Sequence, residues 1–246
     1  MRAAQLTEHA GPDAVRVTDI PELEAGNSLV LVDLHAAGVC FPDLLQTTGG
    51  YQMVRPLPCV LGAEAAGIVR SAPEGSGLTA GQRVAVLSID GSWQQTVALP
   101  RELVFPLPDS VSLTAGAGML MNYFTAHFAL DERARYRAGE TVLVHGAPGG
   151  RAVVFGFTGG SIPTVKVNRH LLKNISVVGA GWGEYLRTDP GYPARQWAAL
   201  EPLLRDGTLV VPEPTLHPLD EAPAALRSLE NRSATGKVAL ALTSRP

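Results

Sequence analysis

The chain is poor in cysteine and in lysine, and it lacks long apolar runs. Its 246 residues include two cysteines and carry a net charge of −3. Two cysteines cannot supply a disulfide framework or the four ligands of a structural zinc. The acidic excess argues against nucleic acid or an anionic membrane as the main partner, because both need a basic surface. No run reaches the roughly 18 apolar residues that cross a bilayer, and MRAAQLTEHAG at the start has no signal-peptide core, so we expect a soluble cytoplasmic protein.

The apolar content is high enough for a substantial core, since 46% of the residues are hydrophobic and only 17% are charged. In residues 1–118, short apolar runs recur about every ten residues between Gly, Pro and Asp, a pattern typical of a β-barrel or sandwich. Across residues 112–131 the apolar spacing becomes helical. That spacing places four apolar side chains on one predicted helix face: Met119, Tyr123, Ala126 and Leu130.

The remainder of the chain alternates between strand and helix patterns. Apolar runs at 142–144, 152–157 and 175–179 are typical of parallel strands buried on both faces. Helices are predicted over residues 167–174, 193–207 and 219–230, and GKVALAL at 236–242 predicts a closing strand. Asp220 is the expected N-cap of the helix at 219–230.

The segment LPCVLGAEAAGIV at 57–69 resembles the Pro…Gly-x-Glu-x-x-Gly-x-Val signature of the medium-chain dehydrogenase/reductase superfamily, in its zinc-free quinone oxidoreductase branch. Further segments resemble that branch in the expected order: 80–85, 105–109, 123–126, 138–147 and 236–238. The resemblance implies a mixed α/β fold. Residues 1–118, completed by 216–246, would form a GroES-like β-barrel domain, and residues 119–215 a Rossmann-type cofactor domain. It also implies hydride transfer from NADPH to a quinone, an enone or another activated carbonyl.

The metal ligands of the zinc-dependent branch are largely missing. Cys40, within GVCFPD, resembles the segment that carries the first zinc thiolate. The second ligand in that branch is a histidine directly before the signature glutamate, and Ala63 stands there, before Glu64. A catalytic zinc needs three protein ligands. The sequence therefore predicts no metal.

The resemblance places the catalytic polar groups on the loop at 40–51, beside the nicotinamide. Asp43 and Tyr51 are the matching candidates, together with Cys40 in the same segment. Tyr51 is the better hydrogen-bond donor to a substrate carbonyl. The alternatives are an exposed loop tyrosine at Tyr51 and a turn or helix-cap role for Asp43. Leu45 stands where relatives often carry a tyrosine, so one usual polar contact is absent.

The cofactor positions implied by the resemblance lie on several segments of the second domain. They are Asn122, Tyr123, Thr125, Gly146, Phe155, Gly156, Phe157 and Trp182. For the two phenylalanines the alternative is core packing, and for the tryptophan it is anchoring at a domain interface.

The glycine-rich turn of the cofactor domain is not followed by the helix that such a turn requires. GAPGG at 146–150 begins the turn, but RAVVFGF at 151–157 resembles a much later strand of the same domain. A dinucleotide-binding sheet has six strands, of which about three are readable here. At roughly 30 residues per βαβ unit, about 80 residues are missing, including the phosphate-binding helix and the segment that selects NAD or NADP.

This deletion leaves a truncated Rossmann-like domain and a second functional hypothesis. Strands at 142–145 and 152–157 would be joined by too few residues for a parallel crossover, so we expect an antiparallel hairpin if both form. The first hypothesis is an NADPH-dependent reductase acting on a small-molecule electrophile. The alternative is a catalytically impaired relative that acts as a binding or dimerising module or has no function of its own. The segment at 175–179 matches the edge strand through which enzymes of this family pair about a two-fold axis, so the resemblance implies a homodimer; an apolar edge of this kind is prone to such pairing.

Overall fold

The computed structural model describes residues 1–23, 26, 28–88, 91–142, 150–157, 162, 164–173 and 175–243. The strands, β1 to β12 in chain order, are Arg2–Leu6, Val15–Asp19, Val30–Val39, Cys59–Val60, Glu64–Ser71, Arg83–Leu87, Thr96–Leu99, Val104–Pro106, Gly150–Val154, Ile175–Gly179, Thr215–Pro218 and Val238–Ala241. The helices, α1 to α7, are Phe41–Thr47, Leu113–Gly116, Leu120–His127, Asn168–Lys173, Trp182–Thr188, Tyr192–Arg205 and Ala222–Glu230. A π-helical turn, Phe128–Arg133, follows α3. The mixed α/β class expected from the sequence is confirmed.

The described chain divides into two compact units. The first unit comprises Met1–Met121 and Trp197–Pro246, and the second comprises Asn122–Gln196. In the first unit, a seven-stranded sheet has the order β11-β12-β3-β5-β6-β8, with β7 also paired to β3. Its pairs are antiparallel except for β11 with β12. A smaller antiparallel sheet has the order β2-β1-β4.

Strand β3 is the central strand of the first unit. Val32 lies opposite Val69 of β5 and also opposite Val97 of β7, and all three side chains are buried. Further along, β3 pairs with β12. A strand that is buried on both faces has a nearly continuous apolar sequence. This explains why VLVDLHAAGV, which is mostly apolar, is buried over most of its length.

The helix face predicted for residues 112–131 is wrong. Ala126 and Leu130 are exposed, and the buried side chains are Leu120, Phe124 and Phe128, spaced four residues apart. The physical reason is that two neighbouring faces of α3 carry apolar residues, so helical spacing alone does not select the buried one. Leu130 also lies in the π-helical turn after α3, where the phase of the side chains changes.

The second unit contains a parallel pair of strands, β9 and β10. Ile175 lies opposite Gly150, and α4 forms part of the connection between the two strands. The predicted strand at 175–179 and helix near 168–173 are confirmed. Strand β9 ends at Val154, so the strand predicted over 152–157 is only partly correct. Residues 143–149 lie outside the described residues, and so does the predicted hairpin that involves them.

Apolar side chains are exposed around β10 and α4. Leu171 and Leu172 of α4 are exposed, and so is Val177 of β10. Exposed apolar surface of this kind is typical of a face that another element or a partner covers. Among the described helices, none combines the length and the apolar character that a membrane crossing requires.

The predicted N-cap at Asp220 is also wrong. Leu219–Glu221 forms a short 3₁₀ turn, and the N-cap of α7 is Glu221, without a side-chain cap. Asp220 instead forms an exposed salt bridge with Arg2. A carboxylate at this position therefore pairs with a strand from the other end of the sequence, which helix-start rules cannot indicate.

Candidate active site

The register of the large sheet brings three chemically distinct side chains together. Cys40 follows the end of β3, and Glu64 is the first residue of β5. Lys237 precedes β12, whose first residue, Val238, pairs with Val39. The ammonium nitrogen of Lys237 therefore lies 2.7 Å from Oε1 of Glu64 and donates a hydrogen bond of 3.2 Å to the sulfur of Cys40. We call Cys40, Glu64 and Lys237 the buried cluster.

The Glu64 carboxylate is fully buried and well satisfied. Its Oε1 accepts from the Cys40 thiol at 3.2 Å as well as from Lys237, and its Oε2 accepts from the backbone N–H of Met121 at 2.9 Å. A buried charge is stable only when it is paired and hydrogen-bonded. Lys237 supplies the counter-charge.

The protonation states follow from burial and from the neighbouring charges. Burial lowers the pKa of Lys237, but the charge of the facing Glu64 carboxylate and the hydrogen bonds to Glu64 and Cys40 outweigh it, so that the pKa lies above its ordinary value. Burial raises the pKa of the Cys40 thiol well above its ordinary value; Glu64 and Asp43 add to this and Lys237 opposes it. The buried cluster is therefore an ammonium–carboxylate pair that holds a protonated thiol.

Asp43 has the helix-cap role that was the alternative to chemistry. It is fully buried at the third position of α1, where its Oδ2 accepts from the Cys40 N–H at 2.8 Å. Its Oδ1 accepts from the Gly62 N–H at 3.1 Å. Burial raises the pKa of Asp43 to about 6, and these two hydrogen bonds oppose that rise. The carboxyl group joins the start of α1 to the segment before β5, and a direct role in catalysis stays a prediction.

Two glycines make room for the buried cluster. A Cβ on Gly38 would lie 2.7 Å from the carbonyl oxygen of Ala117 and 2.8 Å from Cγ of Glu64. A Cβ on Gly118 would lie 2.7 Å from Cγ of Lys237. Any side chain at these positions would displace the ion pair or the backbone beside it.

Glu64 and Lys237 lie within the motifs at 57–69 and 236–238, but the sequence alone assigns neither residue a role. The available signal was one acidic and one basic residue that each directly precede an apolar segment, in a chain that has three lysines. Charged residues are almost never fully buried unless they are paired. That rule indicates that each needs a partner, but it does not identify the partner.

Tyr51 lies in an irregular segment after α1 and is half-buried. It lines a narrow pocket with Leu6, His9, Gln46, Gly49, Val54, Arg55 and Cys59. In this pocket, Arg55 donates a hydrogen bond of 2.6 Å to the carbonyl of Val60. The partial burial differs from the exposed loop tyrosine that was the alternative, and the catalytic role of Tyr51 stays a prediction.

Lys237 occupies the space beside the two side chains that could bind a metal, Cys40 and Glu64. In the part of the chain that the structure describes, no three His, Cys, Asp or Glu side chains are grouped closely enough to hold a metal ion. A tethered ammonium at this position is consistent with chemistry that needs no zinc.

The predicted cofactor-binding residues of the second unit have different surroundings. Asn122 is exposed, whereas Tyr123 and Thr125 are half-buried, and burial raises the pKa of Tyr123. Phe155 and Phe157 follow β9, and their exposed fractions are 64% and 47%. The core-packing alternative for these two residues is therefore wrong. Gly156 lies between them and is also exposed, whereas Gly146 lies outside the described residues.

Trp182 lies in the interior of the second unit. Its indole N–H donates to Oε1 of Gln196 at 2.8 Å, and Nε2 of Gln196 donates to the carbonyl of Phe124 at 2.7 Å. The Trp182 and Phe124 rings meet edge to face, with centroids 5.9 Å apart. Because Trp182 and Gln196 are buried, the structure gives Trp182 a packing role, and its contact with a cofactor stays a prediction.

Comparison with known protein families and proteins identifies the chain's relatives. Residues 26–109 match the alcohol dehydrogenase GroES-like domain. The synaptic vesicle membrane protein VAT-1 homolog of Rattus norvegicus is 37% identical over 153 residues, which cover 61% of this chain and 38% of that protein. The chain thus spans well under half the length of this relative.

The quinone oxidoreductase-like protein 2 of Mus musculus matches over a longer span. It is 26% identical over 324 residues, covering 98% of this chain and 92% of the mouse protein. That alignment is longer than the 246 residues of this chain, so the mouse protein contains residues that have no counterpart here.

Solved structures agree with the sequence comparisons. A probable oxidoreductase from Mycobacterium abscessus is 33% identical, with a TM-score of 0.82 and coverage of 98% of both chains. The quinone oxidoreductase from Thermus thermophilus, also studied as its NADPH complex, is 25% identical with a TM-score of 0.80, covering 98% of this chain and 100% of that chain. The chain belongs to the medium-chain dehydrogenase/reductase superfamily, in its quinone oxidoreductase branch.

Proposed function

We propose that the chain transfers hydride from NADPH to an electron-poor small molecule, such as a quinone, an enone or an activated carbonyl. The observation that carries this proposal is the match over 98% of both chains to the probable oxidoreductase of Mycobacterium abscessus, at 33% identity. The NADPH complex of the Thermus thermophilus relative supports the choice of cofactor.

NADPH would supply the hydride, since the protein itself needs no nucleophile for this chemistry. In the second unit, Asn122 and Thr125 would bind the nicotinamide end through side-chain hydrogen bonds. The exposed rings of Phe155 and Phe157 would offer apolar contact. The residues expected to hold the diphosphate, around Gly146, lie outside the described residues.

Tyr51 would orient the substrate by donating a hydrogen bond from its hydroxyl to the substrate oxygen. Reduction places negative charge on that oxygen, so a donor aimed at it stabilises the transition state more than the ground state. Cys40 and Asp43 act indirectly in this proposal. Cys40 is a buried, protonated thiol and Asp43 caps α1, so both maintain the loop that leads to Tyr51.

The alternative function is a binding or dimerising module without turnover. The specific observation in its favour is the 324-residue alignment with the mouse relative, in which part of that protein faces no residue of this chain. Loss of the diphosphate subsite would remove the positioning on which hydride transfer depends.

For either function we propose a homodimer formed through β10, which pairs with β9 on one side and has an exposed apolar residue, Val177.

A titration of the purified chain with NADPH separates the two functions. Saturable binding together with quinone-dependent oxidation of NADPH supports the reductase. Absence of binding at millimolar NADPH contradicts it and favours the module.

The proposed role of Tyr51 is tested by Tyr51→Phe in the same assay. Loss of one hydrogen bond to a developing charge lowers kcat/KM by about 10- to 100-fold. Tyr136→Phe, on a tyrosine of the second unit whose hydroxyl donates to the Glu140 carbonyl, is the control and leaves turnover unchanged. Equal activity of Y51F and the unmodified chain would contradict the role.

A further inference from the structure

The second unit has a charged cleft at the end of the π-helical turn Phe128–Arg133. Its volume is about 440 Å³, and its lining residues are Glu132, Arg133, Ala134, Arg135, Arg137 and Glu140. Five of these six residues are charged, and the three arginines are exposed. We call this feature the arginine cleft. It lies on residues that the proposed reductase chemistry does not use.

Within the described ranges, none of the three guanidinium groups of the arginine cleft lies within 4.0 Å of a carboxylate oxygen. Arg133 uses Nε to donate a 2.7 Å hydrogen bond to the Gly179 carbonyl, which leaves its terminal nitrogens available. Glu140 is already engaged, because its Oε2 accepts from the Arg137 backbone N–H at 2.8 Å. Three cations against two carboxylates leave the lining positive.

The backbone conformation of Arg135 is a second, independent observation that points to a role for the Arg135 side chain. Its φ is 51°, in the left-handed region, where a bulky side chain is disfavoured and glycine is not. The conformation ends the π turn, with the Ala134 N–H bonded to the Ala129 carbonyl and the Tyr136 N–H bonded to the Leu130 carbonyl. Glycine would satisfy this turn with less strain. An arginine in its place puts a third guanidinium group on the wall of the cleft.

We propose that the arginine cleft is a binding site for a phosphate-bearing anion, either a free diphosphate or the phosphate groups of a nucleotide. Guanidinium groups bind phosphate oxygens through paired N–H donors, and they remain charged at every physiological pH. Several unpaired guanidinium groups around one cleft favour a ligand with two or more negative charges over a single carboxylate. The proposal does not depend on hydride transfer.

The test is calorimetric titration of the full chain with pyrophosphate, in the absence of NADPH. Binding should be saturable and should weaken as salt is added, because the contacts are exposed and electrostatic. Arg135→Gly should weaken binding about tenfold, since it removes one charge-assisted contact, and it should raise Tm by relieving the backbone strain. Adenosine 2′,5′-bisphosphate in a second titration distinguishes the sources: tighter binding than pyrophosphate identifies a nucleotide, and equal binding identifies free phosphate groups.

The matched control is Arg232→Gly. Arg232 is also exposed and has a φ of 59°, but it does not line the arginine cleft. R232G should raise Tm in the same way and leave anion affinity unchanged. Arg137→Gln provides a second variant that keeps the backbone unchanged. Failure of both anions to bind the unmodified chain, or equal affinities for R135G and R232G, would overturn the proposal.

Discussion

Single residues show most directly how this chain uses charge. Lys237 and Glu64 are both largely buried, and each is the other's counter-charge. Because desolvation offsets the attraction between the two charges, such a pair adds little to the free energy of unfolding compared with apolar residues in its place. Removal of one partner, however, leaves an uncompensated buried charge. The pair therefore matters more for keeping Cys40 and its loop in place than for raw stability.

The first prediction concerns Lys237→Met. The Glu64 carboxylate would lose its counter-ion, and the free energy of unfolding should fall by about 3–5 kcal/mol, measured by urea denaturation. Lys166→Met, on an exposed lysine, is the control and should change it by less than about 0.5 kcal/mol. The double variant K237M with Glu64→Gln should recover part of the loss. A K237M chain as stable as the K166M chain would show that the pair is not a buried one.

The second prediction concerns the pH dependence that Asp43 confers. Its native pKa of about 6 lies above the ordinary 3.8, so the folded chain retains a proton that the unfolded chain has already released. The contribution of this proton to the free energy of unfolding is fully present below pH 3.8 and is lost as the pH rises through about 6. The free energy of unfolding should therefore fall with rising pH in this window, relative to that of Asp43→Asn.

Urea titrations from pH 4 to about 7 check this prediction. The free energy of unfolding of the unmodified chain, relative to that of D43N, should fall by up to about 1.4 kcal/mol for each unit of pKa shift. The groups that influence Asp43 electrostatically, Lys237 and Glu64, are present in both chains and cancel in the comparison. A constant difference in stability between the unmodified chain and D43N across the window would contradict the raised pKa.

At the scale of secondary-structure elements, close packing against backbone decides what the sheet tolerates. Strand β3 passes Glu64 and Ala117 so closely at Gly38 that no Cβ fits. Neither contact atom is the far end of a flexible side chain, because one is a backbone oxygen and the other is Cγ of a paired glutamate. Relief would require movement of α2 or of β5.

The third prediction follows for Gly38→Ala. Overpacking should lower the free energy of unfolding by about 1–3 kcal/mol, and thermal or urea denaturation will measure it. Gly183→Ala in α5 is the matched glycine control, because nothing lies within 4 Å of its Cβ position. Helix propensity predicts that it should stabilise by roughly 0.5–1 kcal/mol. Destabilisation of both variants to the same degree would contradict the packing argument.

Elements also show where pattern rules fail. Strands β3, β5 and β6 lie in the region where recurring short apolar runs predict β structure, and they form because their apolar residues are buried in one sheet. The helix face predicted at 112–131 is wrong because two neighbouring faces of α3 are apolar, and spacing alone does not decide which one is buried. The π-helical turn that begins at Phe128 then changes the phase of the side chains that follow it.

For the whole molecule, the exposed apolar surface of the second unit predicts association. The fourth prediction is that Val177→Lys, on the paired strand β10, shifts the proposed dimer toward monomer in sedimentation velocity, because a charge on an edge strand opposes strand addition. Met53→Lys is the control, since Met53 and Val177 have the same exposed fraction of 45%. A monomer before substitution, or equal effects of both variants, would contradict an interface at β10.

The sequence by itself determined the mixed α/β class, most strands of the first unit, the strand at 175–179 and the family, because these depend on local periodicity and on contiguous motifs. Only the tertiary structure decided that Lys237 pairs with Glu64, that Asp43 caps α1 and that Trp182 hydrogen-bonds to Gln196. Those contacts join residues far apart in the chain or depend on burial. Sheet register and the exclusion of water determine them, and neither can be obtained from a linear pattern.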